Sequence, residues 1–242
     1  MSDIENRKLL ISIIAGLLKD CNHVAVGASS PIPGAAALLA QELWGQPKHL
    51  NILGSVKNNF FTNGAQELFD CAAQGRIDAF FLGGGQIDGS ANINLMGRGD
   101  YPNNKPRWPG TFGSAYLYML IPKVILFREE HSKRVLVDKV EFISAPGTSD
   151  ETVYRKGGPY GLLTNKAFFL FDKEKQRFNL QSVHPGSSLE DILDNTGFEF
   201  DYLADVPTTP LPSDEVLDVM MTKVAPRLKE VYPQFAEAVL AA

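Results

Sequence analysis

Apolar residues toward the amino terminus alternate between helical and strand-like patterns. After a capping box at Ser2 and Glu5, they recur at the three- to four-residue spacing of a helix. Short apolar runs then predict strands, with helical spacing between them. The predicted strands are 23–27, 50–53 and 77–82, and the predicted helices between them are 35–44 and 65–74. This alternation indicates an α/β protein with an open, mainly parallel sheet and helices on both faces.

The second half of the chain is predicted to contain more strands, a hairpin and two further helices. Strand patterns occur at 124–128, 134–142, 166–171 and 177–183, and the polar turn between the last two suits a hairpin. Ser187 and Glu190 form a second capping box, and Gly197 is placed to stop that helix. Ser213 caps a final helix after the connector 207–212, which is interpreted as a surface crossover. One domain over residues 1–242 is expected, because this length suits a single core.

Composition and charge exclude several classes of partner. The chain has 44% apolar residues and a formal net charge of −5, which argues against a nucleic-acid partner because phosphate binding needs a clustered basic surface. No run of about eighteen apolar residues could cross a membrane, and the acidic start Met-Ser-Asp-Ile-Glu is unlike a signal peptide. Cys21 and Cys71 lack the spacing of a metal site or a disulfide scaffold. The sequence predicts a cytoplasmic protein that binds neither nucleic acid nor membrane, with both cysteines as buried thiols.

Candidate chemistry lies in loops that follow the predicted strands, because ligands of open parallel sheets bind beyond the carboxyl ends of strands. Such loops span 27–34, 54–63 and 83–94, and a fourth candidate loop spans 109–114. The third begins Gly83-Gly84-Gly85-Gln86-Ile87-Asp88. Its glycines could present N–H donors to a ligand, or could only form a turn where backbones pack. Asp88 is either a general base or a cap for the next turn. The sequence lacks the Gly-x-Gly-x-x-Gly and phosphate-loop patterns, so nucleotide-binding folds are unsupported.

Other candidate residues carry less specific signals. Gly110 and Gly113 flank Phe112, which could wall an apolar pocket or belong to a structural turn. A basic cluster before this loop could meet ligand phosphates or form a solvated face; it consists of Arg98, Lys105 and Arg107. The histidines are scattered, so no metal site is predicted; they are His23, His49, His131 and His184. No serine has the Gly-x-Ser-x-Gly context of a serine hydrolase.

Several motifs, taken in order, resemble the β subunits of family I coenzyme A (CoA) transferases, most closely the glutaconate CoA-transferase branch. They are Val26-Gly27 with the Ala/Ser/Pro turn after it, the 84–94 segment with its Gln-Ile-Asp and Asn-Ile-Asn, Pro109-Gly110 with Gly113, the 137–147 stretch, Ser182-Val183-His184-Pro185-Gly186, and Asn195-Thr196-Gly197-Phe198. The similarity covers most of the chain. It implies the α/β subunit fold of that family, a CoA thioester as substrate with no cofactor, and an α-type partner subunit in a hetero-oligomer with the site at the interface.

The resemblance also implies a difference in chemistry. In that family a β-subunit glutamate attacks the acyl-CoA and carries the covalent intermediates. At the matching position this chain has Gly54, within Ile52-Leu53-Gly54-Ser55-Val56, and no Asp or Glu occurs between Glu42 and Glu67. Transfer through a glutamate of this loop is therefore not expected.

A second branch of the superfamily shares this difference, namely the two-subunit hydrolases that open the last rings of steroid nuclei held as CoA thioesters. Resemblance to that branch implies that a glutamate of the α subunit is the base, while this chain supplies pocket walls and donors to a developing enolate or oxyanion. Gly54 then occupies the glutamate position, and the candidate catalytic residues are Ser55, Asn58 and Gln86. The residues expected to bind substrate or CoA are Gly83, Gly84, Gly85, Gln86, Asp88, Gly110, Phe112 and Gly113.

Three functions remain open from the sequence. The first is hydrolysis of a carbon–carbon bond in a cyclic acyl-CoA. The second is CoA transfer between acids, with the nucleophile supplied by the partner. The third is a non-catalytic subunit that stabilises its partner, against which the two open glycine loops argue.

Overall fold

The computed structural model describes residues 1–108 and 110–241, which form two compact units. The first unit comprises Met1–Phe81 together with the carboxyl-terminal residues from Pro210 onward, and the second comprises Leu82–Thr209. The second boundary falls inside the connector 207–212, which the sequence predicts to be a surface crossover. The expectation of one domain over residues 1–242 stays a prediction.

The elements of both units follow one another in an alternating order along the chain. They are α1 (Asp3–Leu17), β1 (His23–Val26), α2 (Pro31–Trp44), β2 (His49–Ile52), α3 (Gly64–Ala73), β3 (Ala79–Leu82), β4 (Gln86–Ile87), β5 (Ile93–Asn94), α4 (Ser114–Leu120), β6 (Lys123–Arg128), β7 (Pro159–Thr164), β8 (Ala167–Asp172), β9 (Arg177–Val183), α5 (Leu189–Asn195), β10 (Asp201–Tyr202), α6 (Asp214–Val219), a π-helical turn (Met220–Val224), α7 (Ala225–Leu228) and α8 (Pro233–Leu240).

The first unit is built on parallel strands, with β1 between β2 and β3. Val24 of β1 lies opposite Leu50 of β2 and Ala79 of β3, and all three side chains are buried. Such continuous apolar runs are typical of parallel strands that are covered on both faces. The predicted capping box at Ser2 and Glu5 is present at the start of α1, and α1 packs against α2.

The second unit combines parallel and antiparallel pairing. β6 pairs parallel with β7, β9 pairs parallel with β10, and the predicted hairpin of β8 and β9 is antiparallel. Asp172 closes the hairpin turn, because its Oδ1 accepts the backbone N–H groups of Glu174 and Lys175 at 3.0 Å. Aromatic rings pack in the core of this unit, where Phe169 lies edge-on to Phe200 with the ring centroids 5.2 Å apart.

The predicted fold class, an open and mainly parallel α/β sheet with helices, is confirmed by these pairings. The predicted strand at 134–142 is wrong. Its buried apolar residues do not alternate: Leu136 forms an isolated bridge with Ile87, and exposed Asp138 and Lys139 interrupt the run. The second capping box is also wrong by one residue, since the Ser188 hydroxyl, and not that of Ser187, caps α5 by accepting from Asp191 N.

Two expectations from composition meet a partial outcome. Cys21 is buried and Cys71 is half-buried, and both are free thiols. Within residues 1–108 and 110–241, no helix combines the length and apolar content needed to cross a bilayer.

Candidate active site

A tight turn follows β2 in the first unit and contains Gly54, Ser55 and Asn58; residues 53–58 are called the β2 turn below. Ile52 N donates to Asn58 O (2.6 Å) and Ser55 N donates to Ile52 O (3.0 Å), so backbone bonds close the turn. Gly54 has φ +96°, a left-handed conformation that favours glycine. Ser55 is buried, and its Oγ accepts from Asn58 N at 2.9 Å. The structure thus brings together the two polar residues predicted here.

A carboxylate from the far end of the chain reaches this turn. Ser55 Oγ–H donates to Oε2 of Glu230 (2.6 Å), and the N–H of Val56 donates to Oε1 (2.7 Å). These bonds from Ser55 and Val56 lower the pKa of Glu230, which is ionised at neutral pH. Glu230 is not among the residues predicted from the sequence, because 175 positions separate it from Ser55.

The three glycines at the start of the 83–94 loop lie in the second unit, where close packing accounts for two of them. A Cβ on Gly84 would lie 2.6 Å from Ile93 Cγ2 and 2.8 Å from Gln86 O, and a Cβ on Gly85 would overlap the ring of Trp108. A Cβ on Gly83 would lie 3.1 Å from the carbonyl oxygen of Phe127, which is also tight. Packing within the chain is thus sufficient to explain glycine at 84 and 85, and their donation to a ligand stays a prediction.

Gln86 is buried and forms bonds within the chain through both ends of its amide. Its Oε1 accepts from Asn94 Nδ2 (2.8 Å) and from Glu141 N (3.1 Å), and its Nε2 donates to Glu141 Oε1 (2.9 Å). The pKa of Glu141 is lowered, first by the backbone N–H of Gly99 and then by Gln86 and Arg98. Gln86 therefore braces separate segments of the second unit, and direct contact with a substrate would require one of these bonds to open.

Asp88 is also buried and accepts only N–H groups of its own unit. Its Oδ1 accepts from Ser90 N and Asn92 N, both at 3.1 Å, and its Oδ2 accepts from Asn92 Nδ2 (3.2 Å) and Val140 N (3.3 Å). This geometry fits the alternative of a turn cap that the sequence left open. A general base needs a lone pair directed at its substrate, and here the carboxylate is surrounded by donors.

The 109–114 loop leads into α4 and contains the remaining predicted binding residues. Pro109 lies outside the described residues. Gly113 has φ +42° at the amino end of α4, so glycine is favoured there on backbone grounds. Gly110 is different: a Cβ there would have Leu95 Cδ2, at 3.9 Å, as its nearest neighbour. Phe112 is 68% exposed. An open glycine beside an exposed aromatic side chain leaves this loop accessible to a ligand or a partner subunit.

Basic residues occur in two places in the second unit. Of the predicted cluster Arg98, Lys105 and Arg107, Arg98 is engaged in an ion pair with Glu141 (Nε to Oε1, 3.3 Å). A cleft of about 600 Å³ beside the 83–94 loop is lined by Asp88 and, among others, by the cations Lys139, Lys175 and Arg177. The sequence analysis missed this second group because its members lie far apart along the chain.

The histidines do not converge on one site. Buried His131 lies between Thr164 and Thr196, with its ring nitrogens 2.8 and 2.9 Å from their hydroxyls, and burial lowers its pKa to about 4. Burial also lowers the pKa of His184 to about 4. Across the part of the chain that the structure describes, no group of three or more His, Cys, Asp or Glu side chains could hold a metal ion.

Three comparisons with known proteins agree on one family. The sequence profile of coenzyme A transferase matches residues 12–195. One of the subunits of glutaconate CoA-transferase from Acidaminococcus fermentans is 34% identical over 128 residues, which is 50% of this chain and 47% of that relative. The IpdB subunit of the cholesterol ring-cleaving hydrolase from Rhodococcus jostii is 29% identical over 166 residues, or 67% of this chain and 65% of that relative. The sequence match thus spans about half of the first relative.

Solved structures resemble the chain over nearly its whole length. The glutaconate CoA-transferase of Acidaminococcus fermentans has a TM-score of 0.80 at 22% identity, covering 98% of this chain and 97% of that one. IpdAB of Rhodococcus jostii has a TM-score of 0.78 at 22% identity, covering 100% and 99%. The decarboxylase AibA/AibB has a TM-score of 0.76 at 22% identity, covering 99% and 100%. At these identities the likeness concerns the fold.

Proposed function

Because this chain belongs to the coenzyme A transferase family, we propose that it is the β-type subunit of a two-subunit enzyme that processes acyl-CoA thioesters. Its reaction is hydrolysis of a carbon–carbon bond in a cyclic acyl-CoA of the kind produced in steroid-ring degradation. An α-type subunit supplies the base, and this chain supplies walls and hydrogen-bond donors. The sequence similarity to the IpdB subunit of a ring-cleaving hydrolase supports this proposal.

The β2 turn is the observation that carries the proposal. Gly54 has no side chain, and Ser55 is buried with its hydroxyl engaged by Asn58 and Glu230. Covalent transfer of an acyl group or of CoA through this turn needs an accessible nucleophile. The residues of the turn itself provide none, which favours a reaction in which water is the attacking group.

Hydrolysis of a ring bond can proceed without a nucleophile from this chain. A base removes a proton from water, the hydroxide adds to a ring ketone, and the adjacent carbon–carbon bond breaks. One carbon becomes a carboxylate, and the other leaves as an enolate that takes up a proton. N–H groups directed at the oxyanion or enolate oxygen would stabilise the developing charge. In this chain, we assign that task to the accessible 109–114 loop around Gly110 before the packed glycines of the 83–94 loop.

A second candidate function, CoA transfer between two carboxylic acids, is favoured by one specific observation. Glu230 places an ionised carboxylate at the β2 turn. A carboxylate that accepts two hydrogen bonds and has a lowered pKa is a weaker nucleophile, so this candidate ranks second.

The proposed α-type partner suits exposed apolar side chains near the candidate loops. Phe112 and Tyr116 are exposed at the start of α4, and Val56 and Phe60 are exposed in and after the β2 turn. Apolar side chains grouped on a surface commonly mark contacts with another subunit or a ligand.

The test uses this chain co-expressed with its α-type partner and a panel of acyl-CoA thioesters that includes a cyclic diketone. Free thiol release, CoA transfer to acetate or succinate, and the mass of the acyl product are followed in parallel. A ring-opened product that retains CoA, heavier by one water and formed without exchange, is expected. CoA transfer to an acid would favour the second candidate, and the absence of any turnover across the panel would contradict both.

A further inference from the structure

A segment near the carboxyl terminus contacts the turns that follow β1 and β2 in the first unit; residues 227–232 are called the clamp segment below. Arg227 donates through Nη2 to Asn58 Oδ1 (3.3 Å), and Glu230 accepts from the other side of the same turn. Tyr232 accepts the N–H of Ser30, after β1, at 3.1 Å. Both turns lie at the carboxyl ends of parallel strands, where open α/β sheets bind ligands.

The β2 turn does not depend on Glu230 for its closure. Backbone bonds between Ile52 and Asn58, and between Ser55 and Ile52, already close it. What the carboxylate of the clamp segment adds is a fixed direction for the Ser55 hydroxyl and for the peptide N–H of Val56. The side chain of Val56 is 87% exposed, so the anchored peptide holds an apolar residue in solvent at the tip of the turn.

We infer that Glu230 is a positioning residue of the active site, which fixes the geometry of the β2 turn from the opposite end of the chain. Both carboxylate oxygens are used, one by Ser55 Oγ and one by Val56 N. Charge-assisted bonds of this kind are stronger than neutral ones and restrict both partners. This inference rests on the proposed function, because it assumes that the turn contributes to acyl-CoA turnover.

The experiment compares Glu230→Gln with the unaltered chain, each co-expressed with the α-type partner. The amide is nearly the same size but has one acceptor atom and one N–H₂ donor, so it cannot accept from Ser55 and Val56 together. We expect kcat to fall about tenfold or more, while KM changes less than about twofold, because a small displacement at a reacting centre costs rate. Ser55→Ala should act on the same bond, so the double variant should be no worse than Glu230→Gln alone.

Two control variants separate positioning from loss of stability. Glu237→Gln removes a carboxylate from α8 of the same unit, where the side chain is exposed, and should leave kcat unchanged. Ile11→Val removes a buried methyl group from α1 and should lower stability by about 0.5–1.5 kcal/mol without changing kcat. All rates are measured well below the lowest melting temperature of the set, so that each variant is fully folded.

The inference is overturned if Glu230→Gln keeps the kcat of the unaltered pair, or if Ile11→Val lowers kcat as much. Failure of the proposed function is a separate result, in which the unaltered pair turns over no acyl-CoA. Amide hydrogen exchange of the full chain then decides the matter. Faster exchange at Val56 and Asn58 in Glu230→Gln, with other amides unchanged, supports positioning of the turn, and unchanged exchange overturns it.

Discussion

The two glycine loops can be told apart by adding one methyl group to each. Gly84→Ala would place a Cβ 2.6 Å from Ile93 Cγ2 and 2.8 Å from the carbonyl oxygen of Gln86, and a backbone atom cannot move aside as a side chain can. Overpacking of this kind costs about 1–3 kcal/mol of stability. Gly110→Ala would place its Cβ no closer than 3.9 Å to Leu95 Cδ2. Its stability should stay level or rise by up to about 1 kcal/mol, because alanine restricts the unfolded chain.

Activity should show the opposite order once stability is accounted for. If a thioester or enolate oxygen approaches the backbone at Gly110, a methyl group there blocks the approach, and kcat/KM should fall about tenfold or more. Urea unfolding of the chain and acyl-CoA turnover by the reconstituted pair measure the two effects. A Gly110→Ala pair with unaltered kcat/KM would remove this residue from the site, and unaltered unfolding of Gly84→Ala would refute the packing argument.

Two further predictions concern buried polar groups of the second unit. Burial holds the pKa of His184 at about 4 in the folded chain, so stability should fall as pH drops from about 6.5 toward 4 while only the unfolded chain takes up this proton; in His184→Gln the slope of unfolding free energy against pH should be shallower by up to about 1.4 kcal/mol per pH unit, and parallel slopes would contradict the assignment. Asp88→Asn replaces a group that accepts four N–H bonds by one with a single acceptor oxygen, and should cost about 1–3 kcal/mol in urea unfolding. Asp138→Asn, at an exposed position lining the same cleft, is the control and should leave the unfolding free energy unchanged; an equal loss in both variants would show that the buried bonds of Asp88 are not the cause.

The parallel part of the fold was predictable because its strands are short apolar runs with clear boundaries. β1 and β3, for example, are buried and bounded by polar or glycine-rich residues. The prediction failed at 134–142, where Val135, Leu136 and Val140 are buried without forming a strand. Burial alone produces the same apolar signal whether the backbone is extended or folded into turns. Pairing with Ile87, which is distant in sequence, decides between them.

The candidate site was predictable only where its residues are close together in sequence. Ser55 and Asn58 share one turn, and Gly83, Gly84 and Gly85 share another. Glu230 was missed because a lone glutamate after α7 reads as a solvated charge. Only the folded chain brings its oxygens to Ser55 and Val56. Gln86 illustrates the converse, since its position in a glycine-rich motif indicated ligand contact, whereas its amide bonds to Asn94 and Glu141.

Shared architecture cannot decide which reaction this subunit takes part in. A CoA-transferase, a ring-cleaving hydrolase and a decarboxylase resemble the chain almost equally, with TM-scores of 0.80, 0.78 and 0.76. One backbone scaffold therefore serves different chemistry, and the difference must lie in a few side chains at the ends of the strands. In this chain the relevant difference is at the β2 turn, where Gly54 provides no side chain and the nearby carboxylate of Glu230 comes from a distant segment. A nucleophile would have to leave its hydrogen bonds to react, whereas a positioning group acts by keeping them. The retention of both bonds to Glu230 thus favours hydrolysis by water over transfer through the protein.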